Sequence, residues 1–324
     1  MHRIRTGIAA LAMLAGSISA AIAGVELKFA HAAPDTDLQQ NLAVFFADEV
    51  AKRTGGEVTV KIFPQGQLGN DQQMISGARS GVVDIVMSGL NNFTGMMPRL
   101  GGLELPFMFQ SREHAYKVLD GEIGRQGLAE FEQFGMKGLA YPENGYRNVT
   151  NNTHPIKTPA DVAGLRMRTN NSVALNELFA MLKANPQQLP VAELYTALET
   201  GVVDAQEHPV NITYSFKFYE VQKYLSLTEH AYSALALAMN LDKFNALTSE
   251  QQKVVMEVAA EATAMQRKLS IEKQESILGE LAAAGLEINR DVDKAAFQEA
   301  AKPTWDSYVA ANGDELVKAV QAVK

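Results

Sequence analysis

Residues 74–88 read MISGARSGVVDIVMS, and residues 194–208 read LYTALETGVVDAQEH. Each segment passes from a helical stretch through Gly-Val-Val-Asp into a short strand, and Gly81 and Gly201 stand 120 residues apart. Four matching residues alone say little. The order around them says more, because each copy follows a strand, a helix, a second strand and a proline. In the first copy residues 27–30 form the strand, Asp35 is placed to cap a helix, and Leu38, Leu42, Phe45, Phe46 and Val50 recur at helical spacing. Gly55-Gly56 close that helix, and residues 58–63 alternate as a strand before Pro64. In the second copy residues 165–169 form the strand, Asn171 or Ser172 caps, and Leu175, Leu178, Phe179 and Leu182 make the apolar stripe before Pro190. Two βαβαβ units in one chain predict an α/β protein of two lobes, each with a mostly parallel sheet flanked by helices.

That topology locates a site. Ligands of open α/β sheets sit beyond the carboxyl ends of the strands. If the lobes face one another, equivalent strand ends line one cleft, which brings together Arg168, Asn170, Asn171 and His208 with Ser88, Asn91 and Asn92. Most of these side chains form hydrogen bonds, as an oxygen-rich ligand requires.

Thr248 with Gln251 reads as a capping box, and apolar residues at helical spacing continue to Ala284 before Gly285. A helix over 249–284 would span roughly 54 Å at 1.5 Å per residue, longer than one lobe, and is expected to bridge both. The corresponding division puts residues 24–144 and about 234–273 in the first lobe, and residues 145–233 and about 274–324 in the second.

Composition removes other classes of function. The formal charge of −8 and the absence of any basic stripe argue against nucleic acid and anionic lipid. With no cysteine there is no disulfide, thiolate metal site or cysteine nucleophile, and the six histidines show no zinc spacing. Phosphate-binding glycine loops and the G-x-S-x-G elbow are also missing, so no cofactor or metal is expected. His2, Arg3 and Arg5 precede an apolar run over 8–18, and Ala21-Ile22-Ala23 supplies a small-x-small pattern. Residues 1–23 are therefore expected to be a signal peptide cleaved after about Ala23, leaving an exported periplasmic protein with no membrane insertion of its own.

Longer motifs run in order along the chain: FPQGQLG at 63–69, LPFMF at 105–109, Gly145-Tyr146-Arg147, PADVAGLRMR at 159–168, ELYTALETGVVDAQE at 193–207 and VQKYLSLT at 221–228. In these the chain resembles the solute-binding proteins of tripartite ATP-independent periplasmic (TRAP) transporters, the DctP-like family. The resemblance implies two α/β lobes joined by crossing strands, closure around a small organic acid, and delivery to integral-membrane transporter subunits. It assigns Arg168 to a two-pronged salt bridge with the ligand carboxylate, a geometry that suits a guanidinium fork. It also suggests Arg147 as a second contact, and Asp71, Ser88, Asn91 and Asn171 as positions that vary with substrate.

One position departs from the family pattern. His208 stands where an asparagine is usual, and a protonated imidazole there would be a third positive charge, so affinity is expected to rise as pH falls through its titration. Other roles stay open for several residues. Arg147 could brace the interlobe crossing, His208 could cap a turn, and Asp71 could cap a helix rather than accept a ligand hydroxyl. Glu207 reads as structural, orienting Arg147 or Arg168. His31, His114, His154 and His230 read as satisfied structural residues.

The amides and hydroxyls favour a sugar acid such as a hexuronate or aldonate; a C4-dicarboxylate or keto acid is the alternative. A sensor in place of the transporter, or a hydrolase using Asp71 and Glu207 as its carboxylate pair, are the rival readings.

Overall fold

The computed structural model describes residues 24–324; the expected signal peptide lies outside them. Ten strands, β1 (Val25–His31), β2 (Val58–Phe63), β3 (Ile85–Gly89), β4 (Met136–Ala140), β5 (Glu143–Asn151), β6 (Arg166–Thr169), β7 (Asn185–Gln188), β8 (Ala205–His208), β9 (Tyr224–Asn240) and β10 (Glu287–Asn289), join into one sheet. Its main path runs β2-β1-β3-β9-β5-β8-β6-β7. The first three strands of that path and the last three are parallel among themselves, as the repeat implies. Between them β9 and β5 run antiparallel to their neighbours on that path, while β10 adds to β9 in parallel. The mostly parallel sheets are thus three strands each, fused through two long crossing strands rather than lying separate.

The repeated Gly-Val-Val-Asp does the same work twice. Gly81 and Gly201 hold φ of 78° and 70°, the left-handed region that glycine enters without a Cβ clash. Val83 and Val203 are buried while Val82 and Val202 face solvent. Each aspartate then grips the neighbouring strand. Asp84 accepts the Lys28 amide at 2.8 Å and returns its own N–H to Lys28 O at 3.1 Å; Asp204 does so with Arg166 at 2.8 and 3.0 Å. The motif fixes where β3 lies beside β1 and β8 beside β6. Asp84→Ala should cost about 1–3 kcal/mol by stranding the Lys28 amide. An unchanged urea midpoint would contradict the clamp.

The helix Ser249–Ala283 is unbroken, and its capping box at Thr248 and Gln251 is present. Val255, Val258 and Ala262 pack into the first lobe, whereas Ile277, Leu278 and Leu281 pack into the second. Its middle turn is polar where it crosses the start of β5. Gln266 donates to Glu143 O at 2.7 Å and accepts the Glu143 amide at 3.0 Å, and Arg267 donates to Tyr141 O at 2.7 Å. The bridging helix is therefore tied to a crossing strand as well as to both cores.

Three details differ from the sequence expectations. The first helix, Leu38–Arg53, is capped by Asp37 rather than Asp35, through a 2.9 Å bond from the Gln39 amide. Asn70, not Asp71, caps the helix Asp71–Ser80, which frees the Asp71 carboxyl for other partners. The C-terminal segment also does not stay with one lobe. Phe297 and Ala301 of the helix Lys294–Asn312 enter the second-lobe core beside Phe179. Tyr308, and then Leu316, Val317 and Val320 of the helix Glu315–Ala322, enter the first-lobe core. The apolar face of that last helix finds its partners against the helix Glu122–Glu130 and the turn Pro98–Glu104, so the chain crosses between lobes once more.

Candidate functional site

The ends of β1, β3, β6 and β8 meet around a cleft of about 260 Å³. All nine residues singled out from the sequence line it: Asp71, Ser88, Asn91, Asn92, Arg147, Arg168, Asn170, Asn171 and His208. A larger hollow of about 850 Å³ adjoins it past Asn92 and Asn171, but no Lys, Arg or His lines that space. Of these two hollows, the smaller is the one that offers an organic anion a counter-charge.

Arg168, at the end of β6, is 3 % exposed. Its Nε and Nη2 donate to Leu189 O at 3.0 and 2.6 Å, and Nη1 faces His208 Nε2 at 3.3 Å. A guanidinium carries five N–H groups. Three are engaged, which leaves one on each terminal nitrogen, the number that the two oxygens of a carboxylate accept. Among the described residues no carboxylate lies within the 4.0 Å of an ion pair with it. Burial pushes its pKa down to about 10, with Glu207 and Asp71 opposing and Arg147 adding to the fall, so it stays charged at neutral pH.

Arg147, on β5, is paired already. Glu207 takes its Nε, and takes Nη2 at 2.8 Å, while the Glu207 backbone oxygen accepts Nη2 at 2.6 Å. His230 Nε2 lies 3.3 Å from the same carboxylate. Burial alone would raise the Glu207 pKa; Arg147 and His230 reverse this and hold it well below the carboxylate range. Arg147 and Glu207 offset one another, so of the two cleft arginines Arg168 is the one without an ion pair. Arg147 keeps Nη1 for its remaining contacts, the nearest being Ser233 Oγ at 3.4 Å.

The opposite wall is a string of small polar groups. Ser88 Oγ donates to Asp71 at 2.5 Å, and Asn92 Nδ2 donates to Ser88 Oγ at 2.9 Å. Burial raises the Asp71 pKa, with Ser88 and Arg168 opposing. Asn171 Nδ2 reaches across from the second lobe to Asn92 Oδ1 at 2.9 Å. Asn170 Oδ1 accepts the Ser172 amide at 2.8 Å, and its Nδ2 is buried without a partner.

Asn144 was missed by the sequence reading. It precedes Gly145, whose φ of 121° marks a bulge in β5; the residue lines the cleft, and its Oδ1 is buried without a partner. The only sequence signal was its place beside Gly145-Tyr146-Arg147. Leu189 O was missed as well, because a backbone acceptor carries no side-chain signature.

His208 departs from expectation. Burial lowers its pKa well below the imidazole range, and Arg147 and Arg168 add to the fall. This geometry gives no support to the expected gain in affinity as pH drops, because a second ring proton would sit against the Arg168 N–H. His208 should therefore add no pH dependence of its own, so wild type and His208→Asn should show the same pH slope of affinity from pH 5 to 8 by calorimetry.

Asp37 offers a different pH dependence. It caps its helix and also accepts Ser215 Oγ from the second lobe at 2.6 Å. Burial raises its pKa to about 6, with Ser215 and Gln39 opposing. The folded protein then binds this proton more tightly than the unfolded chain. Asp37 costs stability above pH 6, and the cost fades as pH falls toward 4. Asn can cap equally well and still bond Ser215. Asp37→Asn should therefore raise stability at pH 7 by on the order of 2 kcal/mol and leave it unchanged at pH 4, which melting curves at the two pH values would check.

Among the described residues no cluster of His, Asp and Glu could hold a metal, and no helix is long and apolar enough to cross a membrane. Over 317 residues the chain is 45% identical to the 2,3-diketo-L-gulonate-binding periplasmic protein YiaO of Escherichia coli (strain K12), covering 97% of each. The solved structure of the sugar acid binding protein DctPAm from Advenella mimigardefordensis with galactonate matches with a TM-score of 0.88 and 32% identity, over 92% of this chain and 96% of that one. A TRAP periplasmic solute-binding protein from Sulfurospirillum deleyianum with bound succinate also matches, at TM-score 0.88 and 33% identity, over 93% of this chain and 100% of that one. The model of the bacterial extracellular solute-binding protein family 7, DctP, matches residues 29–312. On that match and those relatives, the chain belongs to the DctP family of solute-binding proteins.

Proposed function

We propose that this protein is the solute-capturing subunit of a TRAP-type transporter and that it takes a six-carbon sugar acid, with the carboxylate on Arg168. The observation that carries the reading is the pair of unengaged N–H groups on the two terminal nitrogens of Arg168. The remaining lining decides between acids. A C4-dicarboxylate wants a cation at each end, but the second arginine is already neutralised by Glu207. Amides and hydroxyls, including the unpartnered Asn144 Oδ1 and Asn170 Nδ2, suit a chain of hydroxyl and keto groups. The relative that binds 2,3-diketo-L-gulonate and the galactonate-bound neighbour agree with that choice. The succinate-bound neighbour supports the dicarboxylate as the second reading.

Capture is by closure. Asn171–Asn92 and Ser215–Asp37 are bonds between lobes, and closing them removes the ligand and Arg168 from water, which strengthens their pairing at some desolvation cost. Export with cleavage near Ala23 and docking on integral-membrane subunits complete the proposal. Thermal shift with 2,3-diketo-L-gulonate, galactonate, glucuronate and succinate tests it. A sugar acid at a hundred times its Kd should stabilise by about 2.7 kcal/mol. Succinate ranking above every sugar acid would overturn the choice.

A further inference from the structure

The buried side chains behind His208 form a chain of hydrogen bonds with a single direction. At one end Gln222 Nε2 donates to Val221 O at 3.1 Å, an acceptor that cannot donate. Gln222 Oε1 then accepts Thr150 Oγ1 at 2.8 Å, and Thr150 Oγ1 accepts Gln206 Nε2 at 2.7 Å. That turns Gln206 Oε1 toward His208 Nδ1. At the other end stands Arg168 Nη1, a donor that cannot accept, facing His208 Nε2 at 3.3 Å. Both ends demand the same arrangement: Nδ1 carries the proton and Nε2 offers its lone pair. Thr150 and Gln206 are wholly buried, and Gln222 is 5 % exposed, so water does not compete.

We propose that Gln222, Thr150 and Gln206 are positioning residues that lock His208 as its neutral Nδ1–H tautomer, making Nε2 a standing acceptor that holds the Arg168 fork for a carboxylate. The inference rests on the carboxylate reading for its purpose, though not for the tautomer. Fork position matters because each unengaged N–H must meet one ligand oxygen, and a guanidinium free to rotate would lose order each time it bound. An asparagine at this position could accept through its side-chain oxygen without such a chain; a histidine must have its proton placed for it. The charged groups facing the ring are Arg147 from β5, Arg168 from β6 and Glu207 beside it on β8, while the turn Phe218–Glu220 presents the Phe218 ring at 5.7 Å. Two of the three are cations, which also opposes a second proton.

The test is nitrogen NMR of imidazole-labelled protein without ligand, with His208 assigned by its loss in His208→Asn. The expected spectrum shows Nδ1 protonated and Nε2 bare, unchanged from pH 5 to 8. An Nε2–H ring, or one that titrates in that interval, would overturn the proposal. Thr150→Val should mix the tautomers and weaken 2,3-diketo-L-gulonate binding roughly tenfold, while Thr150→Ser restores both. Weaker binding with an unmoved tautomer would mean that Thr150 acts through packing alone, and would also overturn the proposal. If Thr150→Val does not fold, the wild-type spectrum still decides. The predicted tautomer in a protein that binds no sugar acid would support the lock and count against the ligand reading instead.

Discussion

Arg168→Lys should weaken sugar-acid binding by about a hundredfold, and Arg168→Ala should remove measurable binding. Truncating one partner of a buried, hydrogen-bonded charge pair costs 2–5 kcal/mol or more, and about 2.7 kcal/mol is a hundredfold in Kd. Lysine keeps the charge but not the fork. It cannot donate to Leu189 O, meet His208 Nε2 and present two parallel N–H groups together. Stability should change little with lysine, because among the described residues Arg168 has no ion-pair partner to strand. Calorimetry for affinity and melting for fold separate the two effects. Arg168→Lys that binds as wild type does would contradict the fork.

Glu207 should show the opposite signature. It is wholly buried and neutralises Arg147, itself 1 % exposed, while also facing His230. Glu207→Ala leaves a buried guanidinium without its counter-charge, a change that costs about 3–5 kcal/mol. The loss should appear in unfolding before it appears in ligand affinity. The wild-type pair also has a pH signature. With its folded pKa depressed, Glu207 adds stability above its ordinary value of 4.5, and loses it progressively as pH falls below that. The variant should lack this acid-dependent loss. A melting curve for Glu207→Ala within 1 °C of wild type at pH 7 would remove the pair from the account.

How much of this was legible depends on what kind of signal each feature leaves. The repeated Gly-Val-Val-Asp carried the lobes, since its glycine, buried valine and clamping aspartate each act locally and identically in both copies. Strand ends followed from topology, which is why nine residues scattered from Asp71 to His208 meet in one cleft. Placing all of residues 274–324 in the second lobe missed the return of Leu316, Val317 and Val320 to the first-lobe core, because an apolar stripe does not say what it packs against. Asp37 displaced Asp35 as the cap because the two lie two residues apart and both can serve. His208 was legible as a site residue but not in its protonation. That depends on Gln206, Thr150 and Gln222, drawn from three segments and oriented only by their mutual bonds. Arg147 was legible as a cleft residue, whereas its pairing needed the register that sets Asn148 against His208 and Val149 against Glu207.

A crystal structure with the strongest-binding sugar acid would show which group Arg168 holds. Its carboxylate should lie on Arg168, one oxygen within hydrogen-bond reach of Nη1 and the other of Nη2, with a hydroxyl toward Asn144 Oδ1 and a hydroxyl or keto oxygen toward Asn170 Nδ2. A carboxylate bound elsewhere, with a neutral hydroxyl at Arg168, would contradict it.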